Sequence, residues 1–217
     1  MNEANNRFTI EHYESQLKQY GYSPRTLGWK NGRHNLRYYI LLSQWKFDGN
    51  TLLDFGCGFG DMYGFCTKNG YQVAYEGVDL SPQLIETGKG IYPDAHLWSG
   101  DVLRDGLSKQ YDFIVSSGVH NLKIDDTWAF IKATFDFFDK HSSLGFALNF
   151  LSNKVEYTLD HTYHADPAQI LDLAYQYSNR VVFRNDYMPF EFTLFVDKRK
   201  NFDREFAVYP EYLEYVK

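Results

Sequence analysis

From residue 51 onward, short apolar runs alternate with amphipathic stretches. Two predicted helices, over residues 7–20 and 32–46, come first and are parted by the turn-rich segment GYSPRTLGWKNG. The run TLLDFG reads as a strand, and DMYGFCTKNG as a helix stopped by Gly70. VAYEGVD is the next strand, and Ser81 with Pro82 supplies an N-cap and a first helical position for SPQLIETGKG. AHLWS and YDFIVSSG are strands three and four. Trp128, Ile131, Phe135 and Phe138 then recur at helical spacing along a helix predicted over 124–140. LGFALNFL is a fifth strand, and Asp166, Pro167 and Gln169 fit the start of another helix. The last two strands, RVVFRNDY and FEFTLFVDK, are joined by the tight MPF, which is too short for a parallel crossover. A hairpin with an antiparallel final strand follows.

This order predicts an α/β fold, a doubly wound and mostly parallel seven-stranded sheet preceded by N-terminal helices. No repeat, low-complexity tract or linker divides the 217 residues, so one domain is expected. It comprises a helical cap (1–48), a Rossmann-like core (50–200) and a tail (201–217) for which packing on the core is the expectation.

Composition narrows the class. Hydrophobic residues at 44% and charged residues at 23% describe a globular protein. The two cysteines, Cys57 and Cys66, are too few and too close for a disulfide framework and are expected as reduced thiols. No apolar run reaches bilayer length, and the start MNEANNRFTIEHYESQ has no secretory apolar core. A cytoplasmic location without membrane contact is the expectation. The net charge of −6 disfavours nucleic acid as a partner. That charge is uneven: residues 15–47 hold six cations and no acid, which leaves −12 on the remainder.

The densest motif is TLLDFGCGFGD, where Gly56, Gly58 and Gly60 follow a strand and open a helix. Glycine there allows a tight turn and close approach of a ligand to the main chain. A dinucleotide fingerprint would place a small residue at position 61, but the chain has Asp61, a poor neighbour for a pyrophosphate. A pocket ringed by Asp54, Asp79 and Asp101 repels a polyphosphate and suits a ligand with hydroxyls and an amine to donate.

LLDFGCGFGD resembles motif I of the class I S-adenosylmethionine-dependent methyltransferases. YEGVDLSPQLI resembles their motif II, SGDV the segment after strand three, and YDFIVSSGVHN motif IV. The likeness runs over roughly residues 50–200. It implies S-adenosyl-L-methionine as cofactor. The residues implied to contact it are Asp54, Gly56, Cys57, Gly58 and Gly60, then Asp79 and Leu80, then Asp101 and Val102, and finally Ser117 and Gly118. Asp79 would grip the ribose hydroxyls and Asp101 the adenine amine. The tetrapeptide of DNA amino-methyltransferases and the Pro-Cys of cytosine C5 enzymes are both missing from SSGVHN.

A hydroxyl or ammonium acceptor would need a base, and His120 in SSGVHN is the candidate, with a structural loop role as the alternative. In the acid-free window, Trp29, Lys30, Arg33 and Arg37 are candidates to hold an acceptor, so a small one, anionic in the leading reading, is expected. The rival is a non-catalytic module or accessory subunit that binds the cofactor or its demethylated product. His161, His164 and Asp166 do not make a closed metal site, because Asp166 serves better as an N-cap. No metal is expected, and Ser116 and Ser117 lack a hydrolase elbow. Oligomeric state is left open.

Overall fold

In the computed structural model, residues 2–29 and 33–200 are described, so Lys30 and the 201–217 tail lie outside the described residues. Helix α1 (Glu3–Tyr20) starts earlier than its apolar pattern implies, because the Asn2 side chain accepts the Asn5 N–H and caps it. A 3-10 turn, Pro24–Leu27, leads to α2 (His34–Leu41). That helix stops short of the predicted residue 46. Ser43 turns its hydroxyl onto the Ile40 carbonyl, and Trp45 folds inward to stack on Phe113 at 4.9 Å.

Strands and helices then alternate: β1 (Thr51–Phe55), α3 (Asp61–Lys68), β2 (Ala74–Asp79), α4 (Pro82–Ile91), β3 (His96–Ser99), the short α5 (Val102–Asp105), which the pattern does not predict, and β4 (Tyr111–Ser116). They are followed by α6 (Thr127–His141), β5 (Ser142–Leu151), α7 (Pro167–Ala174), β6 (Val181–Arg184) and β7 (Glu191–Asp197). The sheet order is β3-β2-β1-β4-β5-β7-β6, with β7 antiparallel to both neighbours and every other pairing parallel. This is the Rossmann-like, mostly parallel sheet with an antiparallel final strand that the order of elements predicts.

Both faces of the sheet are covered. Phe113, Val115, Ala147 and Phe195 pack under α2, α3 and α4, whereas Ile114, Phe146, Leu148 and Leu194 pack under α6 and α7. The alternation along each strand is the side-chain period of two read off a sheet buried twice. No helix among the described residues is long and apolar enough to cross a membrane.

Candidate functional site

Beyond the carboxyl ends of β1, β2 and β4 lies a cleft of about 1040 Å³, solvent at its mouth included. Its floor is the loop after β1. Gly56 has φ 74°, and a Cβ there would sit 2.1 Å from Val119 Cγ2, so glycine is needed for both backbone and space. The loop's N–H groups turn onto β2: Gly56 and Cys57 both donate to the Val78 carbonyl, at 2.8 and 3.0 Å. Gly58 donates to Asp79 Oδ2 at 2.9 Å. Three successive donors are therefore spent inside the fold rather than aimed at a phosphate.

Carboxylates line the same cleft. Asp79 also accepts the Ser81 N–H at 2.9 Å. Burial pushes its carboxyl above the usual range, opposed by the N–H groups of Ser81, Gly58 and Leu80. Asp54, 2% exposed, accepts the Tyr75 hydroxyl at 2.7 Å. Burial lifts it to about 7, with the Tyr75 bond pulling back and Asp79 and Asp61 adding repulsion. Asp101 caps α5 through the Arg104 N–H and takes a hydrogen bond from Asn6 Nδ2 of α1. Leu80, Val102 and Leu103 supply apolar wall, and Ser117 and Gly118 close the end above β4.

Helix α1 lies over this opening. Thr9 and Tyr13 face the cleft, and Glu14 accepts from Ser81 Oγ and Gln83 Nε2 on the first turn of α4. Farther on, Tyr22 donates to Asp61 Oδ1 at 2.8 Å, and Tyr92 meets the same oxygen. Asp61 thus ties the N-terminal segment to α3 and α4. Burial raises the Tyr13 phenol to about 12, with Asp79 adding to the rise and Arg37 opposing it, so the hydroxyl keeps its proton.

The structure brings Asp54, Gly56, Cys57 and Gly58 into one cleft with Asp79, Leu80, Asp101, Val102, Ser117 and Gly118. Gly60 stands apart from it. A Cβ there would lie 2.9 Å from Leu97 Cδ2, so its bareness serves the packing of the loop on β3. The Cys57 thiol, also in the motif, faces the core, and burial raises it well above the ordinary range.

His120 does not sit where a general base must. A 3-10 turn, Val119–Asn121, points Val119 at Gly56 and turns His120 the other way. The ring lies between Phe130 and Phe150, with Nε2 on Thr134 Oγ1 at 3.1 Å, and is 1% exposed. Burial pushes it down to about 3, so it is neutral and sealed from the cleft near pH 7. The expectation of a base there is corrected on those grounds.

Trp29 does line the cleft, whereas Arg33 is exposed, with its guanidinium 5.9 Å from the Phe190 ring centre. Arg37, the third predicted cation, is 4% exposed and already paired. Its Nε donates to Glu191 Oε2 at 2.6 Å, and Nη2 lies against Oε1. Its Cζ stacks 3.4 Å from the Trp29 ring centre. Burial lowers it to about 9, which leaves it charged near pH 7. His164 bonds Ser152 O and Thr162, and Asp166 caps α7 through Ala168 N, the capping role its sequence position suggested.

Sequence reasoning missed Tyr13 and Asn149. Asn149, on β5, accepts the Gly118 N–H at 2.7 Å and thereby holds the end of motif IV. Its signal was available: it is the lone polar side chain inside LGFALNFL.

Several known proteins share this architecture. The magnesium protoporphyrin IX methyltransferase of Synechocystis, crystallised with bound SAH, matches with a TM-score of 0.66 at 12% identity, over 90% of this chain and 98% of its own. A TehB-like SAM-dependent methyltransferase of Corynebacterium glutamicum matches with a TM-score of 0.54 at 20% identity, over 91% of this chain and 100% of its own. By sequence, a Mycobacterium tuberculosis protein provisionally described as a methyltransferase is 29% identical over 158 residues, covering 70% of this chain and 95% of its own. The methyltransferase-domain profile matches residues 29–138, half of the chain, from the cleft-lining Trp29 through the glycine loop and motif IV into α6. The chain therefore belongs to the methyltransferase-domain family and has the fold of the S-adenosylmethionine-dependent methyltransferases it resembles.

Proposed function

We propose that the protein transfers a methyl group from S-adenosylmethionine to a small acceptor, anionic in charge, that enters the cleft beside Trp29. The observation that carries this reading is the chemistry of the loop after β1. Its N–H groups are spent on Val78 and Asp79, while Asp54, Asp79 and Asp101 ring the opening. Such a site repels a polyphosphate and suits a nucleoside with hydroxyls and an amine to donate.

On this reading Asp79 receives the ribose hydroxyls with the lone pairs left by Gly58 and Ser81. Asp101, steadied by Asn6, receives the adenine amine between Leu80 and Val102. Gly56 and Gly58 let the methionyl part lie against bare main chain. Residues 1–48 act as a helical cap over the core, with α1 excluding water through Thr9 and Tyr13. When bound, the cofactor supplies a methyl on a positively charged sulfur, which passes in line to an acceptor lone pair as the S–C electron pair returns to sulfur. The chain's share is positioning, which is worth roughly 7–11 kcal/mol in well-oriented systems.

Incubation of the full chain with methyl-labelled cofactor and fractionated small-metabolite pools tests this. Label appearing in an acceptor fraction is the expected result. Label that stays on the cofactor in every pool, although S-adenosylhomocysteine binds, would instead make the protein a binding module.

A further inference from the structure

Four hydroxyl-bearing side chains line the cleft: Thr9, Tyr13, Tyr38 and Ser117. Two of them are closed to a ligand. Thr9 donates to the Asn5 carbonyl at 2.8 Å, and Ser117 Oγ is sealed beneath the surface. The Tyr13 and Tyr38 hydroxyls have no partner among the described residues, and neither is a buried atom. Tyr38 is only 5% exposed, so its hydroxyl belongs to the small part of the residue that opens onto the cleft.

The rest of the Tyr38 side chain is held in place. On α2 its ring meets His34 and Phe65 edge-on, with ring centres 5.9 Å away in both cases. Burial, with Asp61 and Asp54 adding to it and Arg37 opposing, pushes the phenol well above the ordinary range. The hydroxyl therefore keeps its proton and can donate. Its two acidic neighbours bracket the glycine loop at positions 54 and 61, which sets Tyr38 at the loop's end of the cleft. Tyr13 has Asp79 as its acidic neighbour instead, at the end of β2.

The cofactor's amino-acid part is a zwitterion, and its place on this reading is along Gly56 and Gly58. Asp54, in the same lining, suits the ammonium. The carboxylate is the harder group to place, because Asp54 and Asp79 repel it and other donors are committed. The Gly56 and Cys57 N–H groups are on the Val78 carbonyl, and that of Gly58 is on Asp79. Arg37 is paired with Glu191, and Arg33 is exposed outside the cleft lining. A phenol at the loop's end can donate to the carboxylate without bringing a charge of its own.

We propose that the Tyr38 hydroxyl binds the methionyl carboxylate of the cofactor and so selects ligands that carry the whole amino-acid chain. This deepens the methyltransferase reading and rests on it.

The test is calorimetric titration of the full chain with S-adenosylhomocysteine and with methylthioadenosine, which keeps the nucleoside and thioether but lacks the amino-acid chain. Tyr38→Phe removes one unpartnered hydroxyl and leaves the ring, so the fold should stand. Its affinity for S-adenosylhomocysteine should fall about tenfold or more, while that for methylthioadenosine stays within about twofold. A merely structural role for Tyr38 would move both ligands alike. A second comparison needs no variant: decarboxylated S-adenosylhomocysteine should bind the parent about tenfold more weakly than the intact ligand. With no donor on the carboxylate, the decarboxylated ligand would bind as well or better, since it leaves only a cation among the acids. Equal affinity of the parent for those two ligands overturns the proposal. So does a Tyr38→Phe variant that binds S-adenosylhomocysteine like the parent, or one that loses both nucleosides equally. Failure of S-adenosylhomocysteine and methylthioadenosine alike to bind the parent would overturn the methyltransferase reading as well.

Discussion

Replacing Glu191 with Gln leaves the Arg37 guanidinium in the core without its counter-ion. Arg37 and Glu191 are 4% and 2% exposed, so little water is available to take over. Breaking a buried pair on one side typically costs about 3–5 kcal/mol, because the surviving charge keeps its desolvation penalty. In a domain of this length each kcal/mol moves the midpoint by about 2–4 °C, so Glu191→Gln should melt about 6–20 °C below the parent. Arg37→Met should cost a similar amount, with about 1–2 kcal/mol of it from the lost stack on Trp29. The double variant Arg37→Met/Glu191→Met removes both charges and should lie within about 2 kcal/mol of the parent. Urea denaturation of the parent, Arg37→Met, Glu191→Met and the double variant gives the coupling energy, expected at about 3 kcal/mol or more and nearly independent of salt. Were Arg37 instead a free cation waiting for an anion, Glu191→Gln would be almost neutral in stability. Single variants within about 1 kcal/mol of the parent, or a double variant equal to the sum of the singles, would refute the pairing.

Asp54→Asn tests the buried acid. Its folded pKa is raised from 3.8 to about 7, so the stability it contributes is full below about 3.8 and lost as pH rises through about 7. The variant, still accepting from Tyr75, should therefore gain on the parent between about pH 4 and pH 7 in parallel denaturation curves; a constant difference would count against it. Gly56→Ala places a Cβ into Val119 at φ 74° and should cost about 2 kcal/mol or more, seen as a lowered midpoint; a variant as stable as the parent would contradict the close approach. His120→Leu should leave methyl transfer within about threefold of the parent, where loss of a true base would cost 10²–10⁴-fold. Because the folded pKa of His120 is lowered from 6.5 to about 3, its stability term is present above 6.5 and lost as pH falls toward 3. The variant should accordingly resist acid better over that span.

Much of the fold was legible because strand and helix periods differ and the glycine loop marks the first strand's end. Every strand from TLLDFG to FEFTLFVDK lies where its apolar run predicts, and the tight MPF made the last pairing antiparallel. Helix ends were harder to read, since Asn2 and Ser43 act through side-chain bonds that periodicity ignores. The acids were readable by motif order. Arg37 was misread because its partner lies 154 positions away, across a β7 contact that no local pattern announces. His120 failed for a different reason. Its neighbour Val119 takes the cleft-facing position, and a one-residue step inside a 3-10 turn is enough to bury the ring against Phe130. Asn149 shows the reverse: a polar residue within an apolar strand was itself the signal.

Isothermal titration calorimetry of the full chain with S-adenosylhomocysteine and, separately, with NAD asks directly what the carboxylate-ringed cleft was built to hold. Binding of S-adenosylhomocysteine, none of NAD, and a roughly 10- to 100-fold loss in Asp79→Asn are the predicted results. No heat with S-adenosylhomocysteine, equal affinity for NAD, or an Asp79→Asn variant that binds like the parent would contradict it.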